Sequence, residues 1–455
     1  MSASIDPLPS AAVLNPMAQQ ANAALLRDVP VVHGLLSALG KRMYFPAKGI
    51  LAQGGEARTK AKRYNATIGI ATENGGPMHL AVVQECFSTQ MKPSDIYPYA
   101  PSDGKPELRK AWKDKQKAET PSLGTHLTSL PVVTNALTHG LALLGDLFLD
   151  PGDEVLVSDL MWENYPLCWE TRLGARVSTF TLFDKRLTGF NQERFVQSLA
   201  ERRGKKVVVV LNFPNNPSGY SPTKAEAGAI VNALIAAAQV GTRLVVACDD
   251  AYYGMFYDPA CETESLFGRL AQAHDNLLAV KIDGATKEEF VWGLRVGFLT
   301  YAVKNGTSEA YTALEQKTSG LIRATISNIS HASQSIVLKA LVDPRFRAQQ
   351  AEKVEILRRR AVVVGQECRK AQYADCWDVY PFNAGYFMCV RLKDADADRV
   401  RVHLLDEHGL GTIAIGPTDL RIAFSCLTEE QIPDVFARIA QGVRTVRHQA
   451  AQSRG

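Results

Sequence analysis

The sequence predicts an α/β protein: a large domain with a mostly parallel sheet flanked by helices, plus a smaller α+β domain. Three observations predict it. Short runs rich in Val, Leu and Ile recur from about residue 125 to 300 and are apolar throughout, as strands covered on both faces must be. Amphipathic helical stretches separate those runs, which is the alternation that builds a parallel sheet. After about residue 335 the pattern changes to a long charged helix, FRAQQAEKVEILRRRAVVVGQECRKA, then the antiparallel-looking runs GYFMCVRL and DLRIAFS, then a final helix EEQIPDVFARIAQGVRTV.

Residues 1–45 read as a tail and a short helix. AQQANAALL and VVHGLLSAL carry apolar residues at helical spacing, behind a lead-in containing Pro and Ser. The expected strands are LPVVTN (130–135), DEVLVSD (153–159), VSTFTLF (177–183), KVVVVLNF (206–213), RLVVACDD (243–250), NLLAVKID (276–283) and VGFLTYA (296–302). Helices are expected over 139–149, 195–202 and 225–240. The N-terminal segment lies outside the central sheet unit and is expected to pack with the C-terminal one. The predicted division is therefore 1–75 (arm and part of the small domain), 76–335 (large domain) and 336–455 (small domain).

Composition excludes several classes of function. With 455 residues, 46% hydrophobic and 22% charged, the chain can bury a large core without disulfides or metals. A net charge of +4, scattered along the chain, gives no nucleic-acid face. The eight cysteines include no C-x-x-C pair and no Cys/His cluster with zinc spacing, so free thiols in a reducing cytoplasm and no metal are expected. No Lys or Arg precedes Arg27, unlike a signal peptide, and no run approaches the ~18 apolar residues of a membrane span.

Ligands of parallel sheets bind beyond the carboxyl ends of the strands, so those ends carry the functional reading. Pro214-Asn215-Asn216-Pro217-Ser218-Gly219 follows KVVVVLNF, and Asp249-Asp250-Ala251-Tyr252-Tyr253 closes RLVVAC. Gly284-Ala285-Thr286-Lys287 follows NLLAVKID, and Arg295 stands eight residues past Lys287 inside GLRVG. Alone, each has an ordinary reading: a turn, a solvated lysine, a surface arginine. Together, in this order and each after a strand, they point to one site.

The combination of N-P-[ST]-G, D-x-A-Y and a Lys followed by G-x-R-x-G resembles the fold-type I pyridoxal-phosphate enzymes, and within them class I aminotransferases of the aspartate aminotransferase kind. The resemblance runs from about residue 60 to 430. It implies pyridoxal 5′-phosphate as cofactor, with Lys287 the lysine that condenses with its aldehyde and carries protons. Asp249 would pair with the pyridine nitrogen, with Asp250 as the rival assignment. Asn216 and Tyr252 would hydrogen-bond the phenolic oxygen, and Ala251 and Trp162 (in DLMWENY) would cover the two ring faces. Tyr165 stands where a polar buttress backs the aspartate. Thr138, at a helix start, and Arg295 would hold the phosphate. Gly284 departs from the family, which often has a phosphate-binding serine there, and Asn135-Ala136-Leu137 is poorer in glycine than the family loop.

The resemblance also implies the substrate contacts. Arg421, in DLRIAFS, matches the arginine that grips the α-carboxylate, with Trp162 and Asn216 beside it, and Gly69 lies in a loop closing over the substrate. Arg323, in LIRATISNISH, matches an arginine reaching a substrate side-chain carboxylate from a neighbouring subunit, although Ile326, Ile329 and Ser330 replace the family's aromatic and prolines. Tyr99 would cross the dimer interface to the partner's phosphate. The expectation is a cytoplasmic homodimeric aminotransferase passing the amino group of an acidic or aromatic amino acid to a 2-oxo acid, without nucleic-acid or membrane partners. Another reaction of the same cofactor, a β-lyase, decarboxylase or synthase, is the alternative, because fold and cofactor do not settle reaction type. A non-catalytic cofactor-binding sensor is the more distant one.

Overall fold

The computed structural model of the protein describes residues 14–28, 33, 36, 38–42, 49–67, 69–87 and 91–452. Residues 1–13, Ile68 and much of the expected VVHGLLSAL helix lie outside the described residues. AQQANAALL falls within the helix Pro16–Asp28, and a second short helix spans Ala38–Arg42.

The seven expected strands all form, as β1 (Val132–Asn135), β2 (Glu154–Ser158), β3 (Arg176–Phe180), β4 (Lys206–Asn212), β5 (Arg243–Asp249), β6 (Leu277–Asp283) and β7 (Val296–Val303). They make one seven-stranded sheet in the order β1-β7-β6-β5-β4-β2-β3. Pairing is parallel from β3 across to β6, whereas β7 is antiparallel to both β6 and β1. The all-apolar strands have two buried faces. In β4, Val208 and Val210 join one core while Val207, Val209 and Leu211 join another on the opposite face. Val245 and Ala247 of β5 follow the first pair, and Leu244 and Val246 the second, as the two-residue period of a strand requires. The helix Ala136–Phe148 covers one face, and the helices Gln192–Ala200 and Lys224–Gln239 the other. The last of these starts on a reciprocal cap, Thr223 with Glu226, each side chain bonding the other's backbone N–H.

The smaller unit is a four-stranded antiparallel sheet of β8 (Trp377–Val379), β9 (Phe387–Leu392), β10 (Ile413–Ile415) and β11 (Asp419–Ala423), in the order β8-β9-β11-β10. The helices Phe346–Glu367, Ala397–His408 and Ile432–Gln452 pack on it in a third core. Residues 50–67 lie against this unit. Tyr64–Asn65 pairs in parallel with Leu410–Gly411, and Ala423 donates its N–H to the Ala66 carbonyl at 2.8 Å. No helix among the described residues is long and apolar enough to cross a membrane, and no group of three or more His, Cys, Asp or Glu there is placed to hold a metal ion.

Register decides where the chemistry gathers. Asn212 pairs with Asp249, and Asp249 with Ile282, so β4, β5 and β6 end level with one another. Because β7 runs the other way, its first residue, Val296, starts opposite Asn135 at the end of β1. Arg295, just before it, therefore sits at the same edge as the loops leaving the parallel strands.

Candidate active site

A cavity of about 230 Å³ opens at that edge, beside the smaller unit. Thr138, Trp162, Asn216, Asp249, Ala251, Tyr252 and Lys287 line it from the sheet side, Gly69 from the N-terminal loop and Arg421 from β11. Nine of the twelve residues singled out from the sequence thus face one space.

Asp249 is only 3% exposed. Its Oδ2 accepts a hydrogen bond from the Tyr165 hydroxyl at 2.5 Å, while the equally buried Oδ1 has no partner among the described residues. Burial lifts its pKa to about 6, against the pull of Tyr165 and the Lys287 charge. Asp250 faces elsewhere: it forms an ion pair with Lys281 and accepts from the Ser265 hydroxyl at 2.6 Å. Of the two rival aspartates, Asp249 is the one on the cavity with a free acceptor.

Lys287 lies in the short helix Ala285–Glu288 that follows β6, and its Nζ is 5.0 Å from the Tyr252 ring centroid. Burial and the nearby Arg295 charge lower its pKa to about 8, while Asp249 opposes the shift. The Tyr252 ring is wedged edge-on between Tyr386 and Phe387, with centroids at 5.3 and 5.5 Å.

Arg421 is 2% exposed and has no carboxylate partner among the described residues. Its Nη1 donates to Asn216 Oδ1 at 3.0 Å and its Nη2 to the Thr67 carbonyl at 3.2 Å, while its buried Nε has no partner. The guanidinium lies 4.2 Å over the Phe387 ring. Such a cation has lost its water with only the more distant Glu163 charge to offset it, so an anion entering the cavity is favoured. The turn carrying Asn216 is pressed against β9: a Cβ on Gly219, whose φ is +73°, would lie 1.9 Å from the Phe387 carbonyl oxygen. Only glycine fits that approach.

Thr138 is the third residue of the helix Ala136–Phe148, where backbone N–H groups and the helix dipole favour an anion. Ala136 opens the helix at φ +61°, a left-handed conformation that costs a residue with a Cβ more than it would glycine. Gly284 also has a structural reason. A Cβ there would lie 2.7 Å from Gly297 Cα and 2.8 Å from the Val296 carbonyl oxygen, both backbone atoms of β7.

Three expected residues are not on the cavity of their own chain. Arg295 is exposed and donates to the Trp292 carbonyl at 3.2 Å, within electrostatic reach of Lys287. Tyr99 is 91% exposed. Arg323 is exposed on the helix Ser308–Thr325 and donates to the Ser327 hydroxyl. Conversely, Ile50, Thr67, Leu137, Leu141, Asn212 and Phe387 line the cavity without having been singled out. Asn212 had a signal, being the polar end of an apolar strand. Ile50 and Phe387 arrive from distant parts of the chain and had none.

These groups fit the cofactor that the resemblance implies: a buried carboxylate with one free oxygen suits a protonated ring nitrogen, a lysine with a depressed pKa suits an aldehyde, and a helix start suits a phosphate.

A sequence profile described as aminotransferase class I and II matches residues 81–439. The cytoplasmic aspartate aminotransferase of Caenorhabditis elegans is 26% identical over 404 residues, which cover 86% of this chain and 93% of that protein. The aromatic-amino-acid aminotransferase of Escherichia coli K12 is 25% identical over 287 residues, 62% of this chain and 68% of that one. The crystal structure of an aminotransferase from Anaerococcus prevotii shares the fold with a TM-score of 0.78 at 22% identity, covering 90% of this chain and 98% of the other.

Two outcomes are expected. Gly284→Ser should lower stability by roughly 1–3 kcal/mol through overpacking, seen as an earlier urea midpoint in the cofactor-free protein. An unchanged midpoint would mean that β6 and β7 are looser than described. In the same cofactor-free protein, labelling of Lys287 by trinitrobenzenesulfonate should have its pH midpoint near its lowered pKa of about 8. Asp249→Asn removes the charge that raises that pKa, so the midpoint should move lower still; a midpoint at the ordinary 10.5 would mean a solvated amine.

Proposed function

The chain belongs to the class I and II aminotransferase family, and from that premise we propose that it moves the amino group of an acidic or aromatic L-amino acid to a 2-oxo acid, with pyridoxal 5′-phosphate as cofactor. The observation that carries this reading is the pairing, in one cavity, of Asp249's free buried oxygen with Arg421's buried guanidinium, whose Nε has no partner among the described residues. One suits a cofactor's ring nitrogen and the other a substrate's α-carboxylate.

Pyridoxal 5′-phosphate, when bound, supplies a ring that withdraws the electron pair left on the substrate Cα as its proton departs. Asp249 keeps the ring nitrogen cationic, and the Tyr165 hydroxyl fixes its carboxylate through the other oxygen. Lys287, with a pKa near 8, is partly neutral at working pH; as a base it would take the Cα proton and as an acid pass it to the cofactor's aldehyde carbon. Asn216 holds the Arg421 guanidinium in place, so the α-carboxylate meets a preformed receptor. Thr138 and Arg295 serve the phosphate.

Relatives named for aspartate and for aromatic amino acids support the substrate class. Tyr99 and Arg323, exposed in one chain, support a homodimer in which each serves the partner's cavity. Eight free cysteines suit a reducing compartment, and cytoplasmic placement belongs to the same reading.

The test is a donor screen of the purified holoenzyme with 2-oxoglutarate, following both glutamate and the new 2-oxo acid. Lys287→Ala should abolish turnover. Arg421→Ala should lower kcat/KM for every donor by about 10- to 150-fold, the loss of one charge-assisted interaction. Arg323→Ala should depress aspartate and glutamate by a similar factor and spare alanine and phenylalanine. An equal effect on all donors would remove the acidic substrate from the reading, and product release without amino transfer would favour a lyase or decarboxylase. Sedimentation should give a dimer, and full activity in a monomer would exclude the shared site.

A further inference from the structure

The helix Ile50–Lys60 is bound to the smaller unit by side-chain ties. The Gln53 amide exchanges hydrogen bonds with the backbone of Ala414, its Nε2 donating at 3.2 Å and its Oε1 accepting at 2.9 Å. The Glu56 carboxylate pairs with Arg401 of the helix Ala397–His408 at 2.7 Å. The first turn, by contrast, is tied across the cleft. The Ile50 N–H donates to Glu163 Oε1 at 2.6 Å, and Glu163 belongs to the loop after β2, next to Trp162. The contact is close: a Cβ on Gly49 would lie 2.7 Å from Glu163 Oε1, so a larger residue there would displace that carboxylate.

That contact sits between two spaces. Ile50 lines the 230 Å³ cavity that holds Lys287 and Arg421. It also lines a neighbouring cavity of about 460 Å³, along with Glu163, Gln53, Glu56 and Arg401. Ile50 therefore borders both the site and a larger space lined by more charged residues. Nothing in its own helix holds its N–H, because the first turn of any helix leaves its donors without intrahelical partners. Glu163 supplies the missing acceptor, and its negative charge opposes the positive end of the helix dipole.

We propose that Glu163 is a positioning residue that latches the 50–60 helix to the large domain and so holds Ile50 as a wall of the substrate cavity. The proposal rests on the aminotransferase reading for the identity of that cavity. Glu163 touches neither the substrate nor the cofactor in this scheme. It acts by removing the freedom of the helix start, so a donor amino acid meets a closed wall rather than an open passage into the larger space. An acceptor at this position is what matters, so glutamine should replace glutamate better than alanine does.

The experiment compares wild type, Glu163→Ala and Glu163→Gln as holoenzymes in two measurements. The first is hydrogen–deuterium exchange at the amides of Ile50 and Gln53, which needs no turnover. Glu163→Ala should speed exchange there by about 2- to 30-fold, the span expected for a lost helix cap, and Glu163→Gln should recover most of the protection. The second is steady-state transamination, where Glu163→Ala should raise KM for the amino donor by a comparable factor and leave kcat within about twofold. Unchanged exchange in Glu163→Ala would overturn the latch. Faster exchange with unchanged KM would overturn its role in the cavity. A wild-type enzyme that transfers no amino group from any donor would overturn the functional reading instead, while the exchange measurement would still decide whether Glu163 holds the helix.

Discussion

The side chain of Asn212 ties the two halves of the site together. It stands at the end of β4, level with Asp249 at the end of β5. Its Nδ2 donates to the Asp249 backbone carbonyl at 3.0 Å, and its Oδ1 accepts from the Asn216 N–H at 2.9 Å. Asn216 then accepts from Arg421, which belongs to the other sheet. One buried amide thus sets the spacing between the carboxylate and the turn, and the turn sets the position of the guanidinium. Each link is a hydrogen bond that burial makes costly to break.

The same physics sorts two lysines six positions apart. Lys281, inside β6, is buried between Asp250 and Asp283, and those carboxylates raise its pKa despite the burial. Lys287, just past the strand end, makes no such ion pair: burial outweighs the opposing pull of Asp249, the Arg295 charge adds to it, and its pKa falls. Both belong to one strand-and-turn segment, but the first is a structural cation and the second has the amine of a nucleophile. What separates them is the strand end, where side chains stop facing the packed sheet and start facing the cleft.

The large sheet was legible because its strands are apolar on both faces and end in polar residues. That pattern located the seven strands and the edge where Asp249, Asn216 and Lys287 gather. The short strands of the smaller sheet were harder to read: β8 and β10 have three residues each, too few to show a period. Ile50 was invisible as a cavity residue because only the pairing of residues 64–65 with 410–411 and the Glu163 contact bring its helix to the cleft. Gly284 could be read as a departure but not explained, since its cause is the backbone of β7 pressing from the next strand. Arg295 carries a motif signal but does not line the cavity within its own chain, and Tyr99 and Arg323, expected to serve a partner subunit's cavity, are exposed in one chain.

Arg421 gives up stability that the fold could have kept. A hydrophobic side chain of similar size would fill its place on β11 without the desolvation penalty of a cation whose Nε has no acceptor. The protein instead keeps that charge rigid and without a salt-bridge partner among the described residues, which costs part of the free energy of folding. On the proposed reading a bound carboxylate would return that energy to the fold, and the molecule's resistance to heat or denaturant would measure how well a given carboxylate fits.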